Sequence, residues 1–235
     1  MTLGGLIERI NFYVSKIKTD AISESIIKSM IQEGADDICR ITQLFPSDTK
    51  FDIKEDVYRY SLNEIDEDFL NVDKQGLFFN EGTGASPDWE PLTPSTDIKM
   101  ENEFRNWRND SSADPQRYWV KQNSLYIHPK PSADLTDGGW LYFCKRPPRM
   151  TDNGDYPFTG TNTSSALFDG FDESIMLYCQ WKLEISEGGA VEDLADTKKS
   201  YYDSLLIQDS ILNRKKPFSG KGKWNFARIP SISKI

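Results

Sequence analysis

One histidine is present in the sequence, His128, at the end of the stretch SLYIH. A single imidazole per chain cannot build a multi-histidine metal site, and any Ser–His–Asp or Cys–His relay would have to centre on it. It stands at the end of an apolar stretch and directly before Pro129. A hydrogen-bonded strand-end histidine is the ordinary reading of that position. Carboxylates are the richer resource. Paired carboxylates can hydrolyse glycosides as acid and base, and Asp36-Asp37, Asp66-Glu67-Asp68 and Asp172-Glu173 supply pairs. Such runs more often form solvated faces or complement helix N-termini. DNGD at 152–155 hints at calcium but lacks the alternating ligand spacing of an EF-hand loop. GTG at 82–84 stands without the rest of a phosphate-cradling fingerprint. Cys39, Cys144 and Cys179 are odd in number and far apart, which argues against zinc and against a disulfide framework. Apolar neighbours make them small buried hydrophobes in a reducing compartment, such as a host cytoplasm. The residues therefore predict no metal, no cofactor and no enzyme.

Trp89, Trp107, Trp119 and Trp140 are the remaining candidates for ligand contact. Exposed tryptophans on a β scaffold can stack on sugars, so a carbohydrate-binding or glycan-processing module is the alternative to hold open. Tryptophans are more often core or interface anchors.

Charge is placed unevenly. The formal net charge is −9, yet residues 214–235, RKKPFSGKGKWNFARIPSISKI, hold seven Lys or Arg and no acid. Without those seven, 21 cations face 37 acids and the body stands at −16. Such a body repels nucleic acid rather than gripping its phosphates. No run of about 18 apolar residues offers a membrane-spanning helix. The N-terminal stretch lacks a basic leader and a cleavage site, and reads as a helix retained on the protein.

The elements that must position these groups follow from periodicity. Leu3, Leu6, Ile7, Ile10, Val14 and Ile17 mark one face of an amphipathic helix. Thr19 and Asp20 offer an N-cap to a second helix, whose stripe runs from Ile22 to Leu44 before Pro46 stops it. Gly34 lies inside that stripe as a weak point. VYRYSL (57–62), GLFFN (76–80), RYWVK (117–121), SLYIH (124–128) and WLYFCKR (140–146) read as short strands bounded by turn residues. Residues 80–97 and 151–165 read as long loops. Asp169 or Asp172 can cap a third helix through ESIMLYCQWKLEIS, ended by Gly188 and Gly189. A fourth carries Val191, Leu194, Tyr201, Leu205 and Leu212 along one face. The expected class is α+β. Residues 1–46 and 166–213 each form a helical hairpin and share one bundle, because neither pair alone buries enough surface. An antiparallel β module is inserted at 47–165, and an extended basic arm follows at 214–235.

DPQRYWVKQNSLYIHPKP (114–131) places a proline, a strand with tyrosine, a short turn, an apolar strand and then P-x-P. WLYFCKRPPRMT (140–151) adds a strand closing in basic residues and prolines, followed by a helix rich in Leu, Tyr and Cys and by YYDSLL at 201–206. With the leading helix pair, this order resembles the head-to-tail adaptor (connector ring) proteins of tailed bacteriophages. One departure is visible: many relatives show L-P-x-D-F after the first strand, whereas SLNEIDEDFL at 61–70 has no proline and more acids. The resemblance implies a non-enzymatic virion protein at the neck. It implies a ring, typically of twelve copies, beneath the portal protein. Helices would pack around a channel through which genome DNA passes without specific binding. A downstream tail or nozzle protein would be the further partner.

The resemblance also implies that the C-terminal end reaches the portal. Pro217, Gly220, Gly222 and Pro230 prevent a continuous helix in the arm. Docking Phe218, Trp224 and Phe226 would contribute roughly 1.5–3 kcal/mol each, against about 1–2 kcal/mol of backbone entropy for each ordered residue. One arm is thus near break-even, while arms engaged together raise one another's effective concentration. Arg214, Lys215, Lys216, Phe218, Lys221, Lys223, Trp224, Phe226, Arg228 and Ile229 are the expected contacts to the portal or a neighbouring subunit. Their charges would steer the arm to an acidic surface.

Overall fold

The computed structural model describes residues 1–17, 22–82, 87–104, 106–165, 167–168, 170–188 and 191–215. Helix α1 (Leu3–Ile17) buries Leu3, Leu6, Ile7, Ile10 and Val14 on one face. Helix α2 (Glu24–Thr42) begins after Ser23, in extended backbone; Thr19 and Asp20 lie outside the described residues. It stops where Gln43 turns left-handed and donates its N–H to the Cys39 carbonyl, three residues before Pro46. Helices α5 (Phe171–Ser186) and α6 (Val191–Lys215) complete the set. All four contribute to one core, with Ile31, Ile38, Ile175, Cys179, Tyr201 and Leu205 at its centre. Tyr13 donates to Glu184 and Met1 is ion-paired to Asp172, so α1 and α5 run the same way. Ser174 meets Ser204 at 2.8 Å and Tyr178 packs on Tyr201, so α6 runs back along α5.

Between the helix pairs lies a β-sandwich. One sheet (sheet A) has the order β1 (Pro46–Ile53), β8 (Leu135–Lys145), β3 (Phe69–Asn80), β4 (Trp89–Pro91). The other (sheet B) has the order β2 (Arg59–Ser61), β7 (Ser124–His128), β6 (Arg117–Lys121), β5 (Thr93–Pro94). Every pairing is antiparallel except β5 with β6. Phe51, Leu77, Phe79, Leu141 and Phe143 face Tyr118, Leu125 and Ile127 in a second core. The strand period of two sends the intervening residues outward. Gly76 has φ +76°, and a Cβ there would sit 2.5 Å from the Tyr118 hydroxyl, so only glycine allows the two sheets this approach.

The outer face of sheet B is sealed by its own chain. Helix α4 (Asp97–Glu103), capped by the Thr96 hydroxyl, and a 3-10 turn at Trp107–Asn109 lay Met100 and Trp107 on Trp119. Trp107 stands edge-on to Trp119 at 4.8 Å and to Tyr58 at 5.4 Å.

Several expectations need correction. Pro46 opens a strand, and β1 pairs with β8 over most of its length. VYRYSL is a three-residue strand running into a one-turn helix, α3 (Leu62–Ile65), because Leu62 turns into the sandwich core. The 80–97 loop contains β4 and β5. Helix α6 continues to Lys215, so Arg214 and Lys215 belong to its last turn and not to an extended arm.

Candidate functional site

The residues singled out for chemistry are absorbed by structure. His128 is 5 % exposed, its Nε2 lies 2.9 Å from Asp110 Oδ2, and its ring packs on Phe104 at 5.1 Å. Its backbone carbonyl accepts from Gln116. The imidazole therefore ties the 106–116 segment to β7. Asp36 pairs with Arg149 and Asp37 with Arg40, and Asp37 also accepts the Tyr201 hydroxyl at 2.8 Å. Asp66 pairs with Lys145 at 2.9 Å. Asp36 and Asp66 serve ion pairs between segments and Asp37 one within α2, which is a different arrangement from two acids facing across a cleft.

The DNGD loop has a structural use as well. Asp155 Oδ2 accepts the backbone N–H groups of Asp152 and Thr151, both at 2.8 Å. These bonds hold its carboxyl below the usual range. The same loop caps α1: Leu3 N–H donates to the Asp155 carbonyl and Gly4 N–H to that of Asn153. All three cysteines are buried thiols; burial pushes Cys179 up to about 12 and raises Cys39 and Cys144 too. Among the described residues, no cluster of three or more His, Cys, Asp or Glu is placed to hold a metal. Among them, no helix is long and apolar enough to cross a membrane.

Of the predicted arm contacts, Arg214 and Lys215 end α6, while Lys216, Phe218, Lys221, Lys223, Trp224, Phe226, Arg228 and Ile229 lie outside the described residues. A Cβ on Gly170 would collide with the Gln208 side chain, so Gln208 is level with the start of α5. Phe168, three residues before that helix, packs on Phe45, which leads into β1. Helix α6 thus runs toward the end of the helical core that adjoins the sandwich.

The four tryptophans divide by register. Trp107 and Trp119 are buried on sheet B. Trp140 on β8 and Trp89 on β4 lie on the outer face of sheet A and are half-buried. Trp140 meets Trp89 at 5.3 Å, Tyr142 at 4.8 Å and Phe78 at 6.2 Å. Its Nε1 donates to Asp48 at 2.8 Å, and the Lys50 ammonium lies 5.3 Å and 5.6 Å from the two indoles. The indoles are inclined at 63° to one another, so they do not form the flat platform that stacks on a sugar chain. Phe78, Tyr142, Asp48 and Lys50 were not foreseen in this role. The alternation of WLYF was the available signal, but only the pairing of β8 with β1 and β3 shows what joins Trp140 on that face.

No curated protein matches this chain. The family model described as SU10 adaptor protein matches residues 1–214, that is, both helix pairs and the whole sandwich, and leaves 215–235 outside the match. The chain belongs to the SU10 adaptor protein family, a family of bacteriophage structural adaptors.

Proposed function

We propose that this adaptor forms a ring beneath the portal vertex of a phage capsid, extends the DNA channel and joins the head to the tail at the virion neck. Neighbouring copies, twelve in the expected ring, would pack through the helical core, with residues 47–165 as an inserted β module and a downstream tail or nozzle protein as the further partner. The arm would dock on the portal. One observation carries the reading: a family-matched body, residues 1–214, with 22 cations against 37 acids, is followed by a segment that holds six cations and no acid. An acidic wall gives DNA few phosphate contacts to stick to. A basic, aromatic segment suits an acidic protein surface.

The test is co-sedimentation with the purified portal of the same phage, using the full chain and a chain ending at Lys215. Binding by the full chain alone is expected. Binding by both keeps the portal role and removes the arm from it. Binding by neither at physiological salt would falsify the portal reading.

A further inference from the structure

We propose that the outer face of sheet A is the docking surface for residues 216–235 of the same chain. The two outer faces of the sandwich are treated differently by the fold. Sheet B's face is covered by α4 and the 3-10 turn, which bury Met100, Trp107 and Trp119. On sheet A, Phe78, Trp89, Trp140 and Tyr142 form a continuous aromatic row, all four half-buried. Among the described residues, their ring, cation and hydrogen-bond contacts are with one another and with Asp48 and Lys50 of the same sheet. Exposed carboxylates border the row: Asp48 and Asp52 on β1 and Asp137 at the start of β8.

The segment 216–235 has the complementary composition. It interleaves Phe218, Trp224 and Phe226 with Lys216, Lys221, Lys223 and Arg228, and holds no acid. Aromatic rings flanked by carboxylates accept such a segment by ring packing, by cation–π contact and by charge. Lys50 shows that both indoles already take an ammonium at about the distance cation–π attraction requires.

Placement agrees with composition. Cys144 abuts the end of α2, with its Sγ 3.4 Å from the Cys39 carbonyl oxygen. Trp140 is four residues along β8 from it, about 13 Å. Helix α6 ends at the same side of the helical core, and seven residues from Gln208 to Lys215 add about 10 Å. Residues 216–235 reach at most about 66–72 Å when extended. The row is well within range of its own arm, with no partner needed to bring the two together.

The test uses the full chain in the absence of portal, so it stands or falls separately from the proposed virion role. Trp224 is replaced by the photoreactive residue p-benzoylphenylalanine. Isotope-labelled and unlabelled copies are mixed and irradiated, and the cross-linked peptides are mapped by mass spectrometry. The expected products join residue 224 to segments 48–52, 78–80, 89–91 or 137–142 of the same copy. They should be lost in high salt and in a variant carrying Asp48→Lys and Asp52→Lys, whose exposed positions leave both cores intact. Cross-links between labelled and unlabelled copies at these strands assign the face to a neighbour's arm and overturn the proposal. Cross-links elsewhere, or none, overturn the site itself.

Discussion

Replacing Gly34 by alanine sets two effects of similar size against each other. In a helix interior, alanine is favoured over glycine by about 1 kcal/mol. Gly34, however, lies where α2 crosses α5, and a Cβ there would sit 3.0 Å from Cδ1 and 3.3 Å from Cγ of Tyr178. That is closer than carbon atoms settle. The ring would have to retreat by a few tenths of an ångström. It is held by Trp181 at 5.9 Å and Tyr201 at 5.5 Å, and the residue is only 6 % exposed. Overpacking of this kind costs about 1–3 kcal/mol. Gly34→Ala should therefore destabilise by up to about 2 kcal/mol despite the gain in helix propensity. In a Tyr178→Ala background the obstacle is gone, and the same change should stabilise by about 1 kcal/mol. The reversal of sign is the signature, with a coupling energy of about 1–3 kcal/mol between the two sites. Urea unfolding followed by far-ultraviolet circular dichroism, at one protein concentration, measures all four corners of the cycle. If Gly34→Ala stabilises both backgrounds equally, α2 and α5 do not pack at this distance and the account of the helical core is wrong.

Two further outcomes follow from the sites described. Trp107→Ala empties the centre of the cluster on sheet B, where the residue is 2 % exposed; it should cost about 3–5 kcal/mol and weaken the near-ultraviolet dichroism of the folded protein. Asp155 has its carboxyl held below the ordinary value of about 3.9 by the N–H groups of Asp152 and Thr151. Its contribution is fully present above that value and is lost as pH falls through the depressed folded one. Asp155→Asn should remove this acid-limb loss, which stability measured across the acid range will show as a flatter profile.

The helices were legible because their information is local. Leu3, Leu6, Ile7, Ile10 and Val14 recur at helical spacing whatever they pack against, and all five are buried. The strands were legible only where alternation survives. In β3, FLNVDKQGLFFN, the pairing with β8 shifts register between Val72 and Leu77, which breaks the period of two and hides the first half of the strand. In β1, PSDTKFDI, only Phe51 and Ile53 point into the core; the rest reads as polar loop until β8, some 90 residues on, pairs with it. The division of the tryptophans was out of reach for the same reason. Trp119 and Trp140 both sit in aromatic strands, and their fates depend on which elements cover each sheet. Gly34 looked like a helix defect and is instead a crossing point, a distinction that needs Tyr178 to be placed.

The contrast between the two sheet faces bears on the proposed docking of residues 216–235. The cluster on sheet B is assembled from residues close in sequence and sealed with buried tryptophans, so it is permanent structure. The row on sheet A has its polar requirements partly met, with Trp140 bonded to Asp48 and Lys50 over two rings, so leaving it uncovered is tolerable. Covering a large aromatic side chain contributes about 1.5–3 kcal/mol, while ordering each residue of the covering segment costs about 1–2 kcal/mol. Seating Phe218, Trp224 and Phe226 would therefore offset the ordering of only a few residues, and a dock confined to the short stretches around those rings would stand close to balance. In the proposed scheme that balance is functional. A tightly held arm could not be surrendered to a portal, and an arm with no dock would carry three large aromatics and a run of cations into solution, where acidic surfaces of other copies compete for them. A weak dock on its own body shields the arm until a ring of portal sites, acting together, outcompetes it.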